Sequence, residues 1–112
     1  MLVVTEQALL ILASLVTGES HGYGIASDVE ALSGGRVKLG AGTLYGVLSR
    51  LAADGLITQT REEVVGGRRR RYYQLTGPGH AVLAREAAHL SSTAAAVSAR
   101  VAAGARPSPR PA

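Results

Sequence analysis

The sequence predicts a mainly α-helical α+β chain: a winged helix-turn-helix followed by a long C-terminal dimerisation helix. Three observations predict it. A short amphipathic helix, opened and closed by glycines, lies between Gly40 and Gly55. A Gly66-Gly67 pair separates two stretches of strand character, and the second begins with the run Arg68 to Arg71. An unbroken heptad seam runs from Leu83 to Val101. These features divide the chain into a winged unit (residues 1–76), a long helix (77–103) and a disordered tail (104–112) that holds all but one of the four prolines.

The composition narrows the classes further. A chain of 112 residues suits one domain with an appended element. It contains no Phe or Trp, so its core rests on Leu, Ile, Val and Ala, and subunit association is a natural source of extra burial. The absence of Cys excludes disulfides and thiolate metal sites and fits a cytoplasmic protein. No apolar run is long enough for a bilayer, and Met1 to Val16 reads as amphipathic with no basic leader, so neither a membrane span nor a signal peptide is expected. The formal charge is +4, and eleven of the twelve cations are Arg. Between Arg36 and Arg71 lie eight basic and three acidic residues. That local excess favours a polyanionic partner; a solvated basic loop is the plainer reading. His21, His80 and His89 are scattered, with no carboxylate pair, nucleophile set or phosphate loop beside them, so neither enzyme chemistry nor a cofactor nor a metal is expected.

The first helix is expected over Thr5 to Val16. Ala8, Leu9, Ile11, Leu12, Leu15 and Val16 give it a stripe wide enough for a core and a partner subunit, with Leu9 and Leu12 assigned to the partner. Thr5 suits its cap, and Glu6 its positive end. A second helix follows over His21 to Leu32, with Ser20 as candidate cap and Ile25, Ala26, Val29 and Leu32 as its buried set. Gly22 and Gly24 weaken its first turn, or else permit a close approach to the first helix or to a phosphate. His21 reads as a surface or cap residue rather than a ligand. Ser33-Gly34-Gly35 ends the helix, and Arg36 to Leu39 is short, extended and basic.

In the third helix Leu44, Val47, Leu48 and Leu51 form the apolar face, while Thr43, Tyr45, Ser49 and Arg50 lie largely off it. Such a helix can pack on a core and still enter a major groove. Gly55 suits the left-handed position after its last turn. Strands are expected over Leu56 to Val65 and Arg70 to Thr76. Alternation places Tyr73 and Leu75 inward, and Arg68, Arg70, Tyr72 and Gln74 outward. Arg71 belongs inward by parity and escapes at the strand's start.

Thr76 is the expected cap of the last helix, with Gly77 and Pro78 in its first turn. Leu83, Leu90 and Val97 form one line of the seam, and Ala87, Ala94 and Val101 the other. About 25 residues span roughly 38 Å, too long to bury on the small winged unit, so a second copy is the economical partner. A single helix folded back over its own domain is the alternative. Ser91, Ser92 and Thr93 interrupt helix propensity and predict a kink or poorer order there.

With these pieces placed, the chain resembles the PadR family of bacterial transcriptional regulators. The stretches that carry the resemblance are Ser20-His-Gly-Tyr-Gly-Ile25, Gly42-Thr-Leu-Tyr45, Leu48-Ser-Arg-Leu51, Gly55-Leu-Ile57 and Gly67-Arg-Arg-Arg-Arg-Tyr-Tyr-Gln-Leu-Thr76. The resemblance implies a homodimer that represses transcription by binding a palindromic operator, with dimer contacts from the last helix and help from the first. The short C-terminal part is similar to the subgroup with a single C-terminal helix. Gly40-Ala41 stands where the family often has Ser-Pro, which removes a strong cap and a preformed first turn. Gly46 stands where Pro is common and softens the helix. Some relatives hold flat aromatic drugs between tryptophans; this chain has none, so that site is not carried over, although the resemblance leaves room for another small-molecule inducer.

The expected DNA contacts are Tyr23, Lys38, Gly42, Thr43, Tyr45, Arg50, Arg68, Arg69 and Arg70. Core packing competes for Tyr23 and Tyr45, and surface ion pairing for Lys38 and Arg50. The expected dimer contacts are Leu9, Leu12, Leu83, Ala87, Leu90, Ala94, Val97 and Val101. Two other readings use the same features. One is a ligand-sensing or partner-binding dimer with weak intrinsic DNA affinity, built on the alanine-rich seam. The other is an RNA-binding module.

Overall fold

Thr5 opens the first helix as expected: its hydroxyl accepts the Ala8 amide at 3.1 Å, and α1 runs over Glu6–Ser14. The structure, a computed structural model, describes residues 4–105. After α1 come β1 (Ser20–His21), α2 (Gly22–Leu32), α3 (Ala41–Ala53), β2 (Ile57–Val65), β3 (Arg68–Leu75) and α4 (Gly77–Ala105). The strands form one antiparallel sheet in the order β1-β3-β2.

The helix ends follow from local chemistry. Gly34 (φ 62°) and Gly55 (φ 76°) adopt the left-handed conformation just past α2 and α3. Behind α2, Gly35 N–H donates to Glu30 C=O at 2.8 Å and Gly34 N–H to Ala31 C=O at 3.1 Å. Behind α3, Leu56 N–H donates to Leu51 C=O and Gly55 N–H to Ala52 C=O, both at 3.0 Å. This paired pattern satisfies the last carbonyls of each helix. The Gly66-Gly67 hairpin also forms as expected. Both glycines have positive φ (57° and 77°), and Val65 pairs with Arg68 across a two-residue turn.

Two features at the start of α2 differ from expectation. Ser20 and His21 form a two-residue strand on β3, paired with Tyr73 and Tyr72. That strand is too short to show periodicity; it forms because β3 has an open edge. His21, not Ser20, then caps α2, its Nδ1 accepting the Gly24 amide at 3.4 Å. A further irregularity lies in β2, where Thr60 is an extra residue between Gln59, opposite Tyr73, and Arg61, opposite Tyr72.

The core gathers Ala8, Ile11 and Leu12 from α1, Leu15 just past its end, Ile25 and Val29 from α2, Leu44, Leu48 and Leu51 from α3, then Leu56, Ile57 and Tyr73. Leu12 is fully enclosed, so it offers no surface to a second chain; its place on the dimer face is corrected to the protomer's own core. Leu32, expected inside, is 53% exposed because α2 ends one turn beyond the core.

Thr76 caps α4 by accepting the Gly79 amide at 3.0 Å, and it also donates to Gly55 C=O at 2.7 Å. The first turns of α4 pack on the core through Val82 and Leu83. Every side chain from Ala87 to Gly104 is exposed. The helix is unbroken through Ser91, Ser92 and Thr93, so the expected interruption is absent: consecutive backbone hydrogen bonds outweigh three poor formers. It also continues through Gly104 and Ala105, which were expected in the tail; the rest of that tail lies outside the described residues. Among the described residues, no helix is long and apolar enough to cross a membrane.

Candidate nucleic-acid interface

The N-terminus of α3 has no side-chain cap: Gly40 precedes it, and its first amides have no intrahelical partner. At 100° per residue, Leu44, Leu48 and Leu51 turn inward, and Gly42, Gly46, Ser49 and Ala53 form the opposite ridge. All four ridge residues are exposed, and a Cβ on Gly42 or Gly46 would meet open space. The outward face of α3 is therefore almost bare backbone.

Polar side chains flank this ridge. Thr43 and Arg50 border a groove of about 410 Å³ against Ala8 of α1 and its cap Thr5. Tyr45 stands on the other side, 46% exposed. A Cβ on Gly22 would lie 2.5 Å from the Tyr45 hydroxyl, so the glycine permits a close approach to this ring rather than to α1. Across a cleft of about 230 Å³, Tyr45 faces Arg69 and Arg71 of β3.

The wing splits its arginines between two faces. Arg69 and Arg71 share the side of Tyr73, which is the side turned to α3. Both reach Glu62, at 3.7 and 3.3 Å. Arg68 and Arg70 share the opposite side, and Arg70 is half-buried opposite Glu63. Arg71 is not among the expected contacts, although parity gives it the inward side and its escape at the strand's start is expected. Parity was right about the side. Near the hairpin tip that side overhangs the edge of α3 instead of covering the core, and Arg71 escapes burial as expected; what the sequence missed is that it shares a cleft with Tyr45.

The other expected residues do not line the Tyr45–Arg69–Arg71 cleft. Tyr23 is 79% exposed, with its ring stacked 6.5 Å from His21, so core packing does not hold it. Lys38 is exposed, 3.8 Å from Glu30. Arg50, Arg68 and Arg70 make no ion pair among the described residues. Arg36, by contrast, is held by a bidentate pair with Glu6, both bonds 2.8 Å.

Below the wing tip a polar network covers the outer side of the sheet. Arg61 donates to Glu19 and Glu63, both at 2.8 Å, and lies 3.8 Å over the Tyr72 ring. The Tyr72 hydroxyl donates to Glu63. These bonds, Tyr72 first and Arg61 second, hold the Glu63 carboxyl below the usual range. Thr60 and then Arg61 do the same for Glu19. Burial and the nearby Arg70 push His21 down, against the opposing pull of Glu63.

Residues 11–85 match the transcriptional regulator PadR-like family. The chain belongs to this family. PadR-like proteins are transcriptional regulators, and the matched stretch runs from α1 through the start of α4. The chain is 38% identical over 78 residues to a transcriptional regulator of Mycobacterium tuberculosis, covering 70% of this chain and 69% of that one. It is 40% identical over 82 residues to a 37.1 kDa protein in a transposon of Streptomyces fradiae; this is 73% of the present chain but 22% of the transposon protein. Among solved structures it is similar to Bacillus subtilis PadR in complex with operator DNA, with a TM-score of 0.62 and 25% identity. That match covers 92% of this chain and 50% of the other, so the PadR-like chain here spans half the length of that relative.

Proposed function

We propose that the chain is a dimeric, sequence-specific DNA-binding regulator, a repressor of the PadR type acting in the cytoplasm and released by a small-molecule signal. The observation that carries this reading is the pairing of an uncapped, bare-faced α3 with an arginine wing across a narrow cleft. Bare backbone lets a helix sit deep in a major groove, and uncapped amides at its start favour phosphate oxygens. Arg69 and Arg71 face the same cleft, and Arg68 at the tip suits the negative potential of a narrow minor groove. The Bacillus subtilis relative bound to operator DNA supports the same use of the fold.

Residues 1–76 form the DNA-binding unit, and 77–103 the dimerisation helix. Ala87, Leu90, Ala94, Val97 and Val101 lie exposed along the projecting part of α4 and supply the seam. Leu9 is half-buried on α1 and can join them. Leu83 packs on its own core and supports the seam from within the protomer. Tyr23, Lys38, Gly42, Thr43, Tyr45, Arg50, Arg68, Arg69, Arg70 and Arg71 form the DNA-facing set. Few of these groups can read base edges, so DNA shape and the spacing of two half-sites carry part of the specificity.

The test is fluorescence anisotropy with a labelled duplex from upstream of the protein's own gene, titrated with salt. Wild type is expected to outcompete random DNA with a steep salt slope. The Arg69→Ala, Arg71→Ala double variant loses more affinity than Arg68→Ala, Arg70→Ala. Binding no tighter than to random DNA, for this duplex and for a screen of genomic fragments, overturns the proposal in favour of a sensing dimer. Equal affinity for the matching RNA duplex favours an RNA module.

A further inference from the structure

Glu19 stands outside the DNA-facing set, in the turn between α1 and β1. Two adjacent residues of β2 converge on its carboxylate. The Thr60 hydroxyl donates to one oxygen at 2.7 Å, and Arg61 Nε donates to the other at 2.8 Å. This convergence needs the extra residue in β2. In regular alternation Thr60 and Arg61 would point to opposite faces of the sheet. The bulge between Gln59 and Arg61 turns both toward Glu19. From there Arg61 extends the tie up the hairpin, donating to Glu63 at 2.8 Å and lying over Tyr72 of β3. Beyond the backbone ladder, this chain of contacts joins the wing to the helical body on the side away from α3.

We infer that Glu19 is a positioning residue for the wing: by gripping the β2 bulge it sets the angle at which the arginine hairpin stands beside α3. The inference rests on the DNA-binding reading for its consequence, but not for its geometry. A hairpin held by its ladder and by Ile57 and Tyr73 at its base can still rock about that base, and the cleft between Tyr45 and the Arg69–Arg71 side widens or narrows with that motion. The grip also assigns Arg61 a second role. Its guanidinium is held against two carboxylates, so it is withdrawn from the phosphate-binding charge although it lies in the basic stretch.

Simple electrostatics and positioning predict opposite signs for one substitution. Glu19→Ala makes the protein more positive and releases Arg61. If charge alone mattered, DNA binding would tighten, and the salt slope would steepen by about one phosphate contact. If Glu19 positions the wing, binding weakens by roughly fivefold or more with the salt slope unchanged. Glu19→Gln retains an oxygen that accepts from Thr60 or Arg61, so it recovers part of the loss. Arg61→Ala weakens binding in the same way, and the Glu19→Ala, Arg61→Ala double variant is no worse than either single one.

The experiment is a salt-titrated anisotropy series on the full chain with these four proteins beside wild type. A melting curve for each checks that it is folded, which the partial exposure of Glu19 makes straightforward. Amide hydrogen exchange of the DNA-free protein is the second readout. Faster exchange across 57–61 in Glu19→Ala, with α1 and α2 unchanged, is the expected result. Tighter or unchanged binding by Glu19→Ala overturns the inference, as does unchanged exchange. If wild type binds no DNA, the proposed function fails, and the exchange measurement still decides whether Glu19 holds the hairpin.

Discussion

Gly79 and Gly46 are both helical glycines, and only their surroundings tell them apart. A Cβ on Gly79 would lie 2.0 Å from the Leu56 carbonyl oxygen, because the first turn of α4 crosses the backbone at the base of the wing. Gly79→Ala forces that crossing apart and is expected to cost about 1–3 kcal/mol, read from denaturant unfolding. A Cβ on Gly46 meets nothing within 4 Å. Gly46→Ala is expected to gain roughly 0.5–1 kcal/mol of stability through helix propensity and, on the proposed docking of α3 in a major groove, to weaken DNA binding by adding a methyl to its outward ridge. A variant that is more stable but binds less well is a result that a purely structural role for Gly46 does not produce. His21 adds a pH effect at this scale. Its folded pKa lies below the ordinary 6.5, because burial and Arg70 favour the neutral ring that caps α2. A base with a depressed folded pKa favours the fold above its unfolded pKa, and that contribution is lost as pH falls through the folded value. The denaturant midpoint should therefore drop between pH 7 and pH 5 in wild type, and drop less in His21→Asn, whose side chain caps without titrating. At this scale the sequence showed where the glycines lie; it did not tell which faces a carbonyl and which faces solvent, since Gly79 meets Leu56, a residue distant along the chain, and Gly46 meets nothing.

Among the elements, those with their own periodicity were legible. The apolar spacing of Leu44, Leu48 and Leu51 and the Gly-Gly turn at Gly66 and Gly67 each depend on residues a few positions apart, and each forms where it was expected. The long α4 helix was legible for the same reason, and the apolar row expected to form its seam divides at the edge of the core. Leu83 packs inward, whereas Leu90, Val97 and Val101 are 53%, 56% and 64% exposed. On the proposed pairing through α4, Val97→Glu is expected to shift the protein toward monomer in sedimentation or light scattering while leaving the melting of the winged unit largely unchanged. The β1 strand was not legible. Two residues carry no alternation, and Ser20 and His21 become a strand only because Tyr72 and Tyr73 offer them an open edge. The bulge at Thr60 escaped for a related reason: an extra residue shows itself only when the partner strand's register is known.

The whole molecule measures 72 × 28 × 22 Å, much longer than its winged unit is wide, because α4 runs on beyond the core that anchors its first turns. A protein of this shape, paired through α4, would present two copies of α3 with a fixed separation, and DNA half-sites about one helical turn apart would then be selected by geometry. The sequence by itself determined the helices, the turns, the winged order of elements and the family, because hydrophobic period, capping and glycine placement act between near neighbours. Only the tertiary structure decided which arginines share a side with α3, that Leu12 belongs to the protomer's own core, that Tyr45 rests against Gly22, and that Glu19 meets Thr60 and Arg61 some forty residues away. Those facts depend on how separate elements are brought together, and a linear pattern does not carry the distance between residues that meet only after folding.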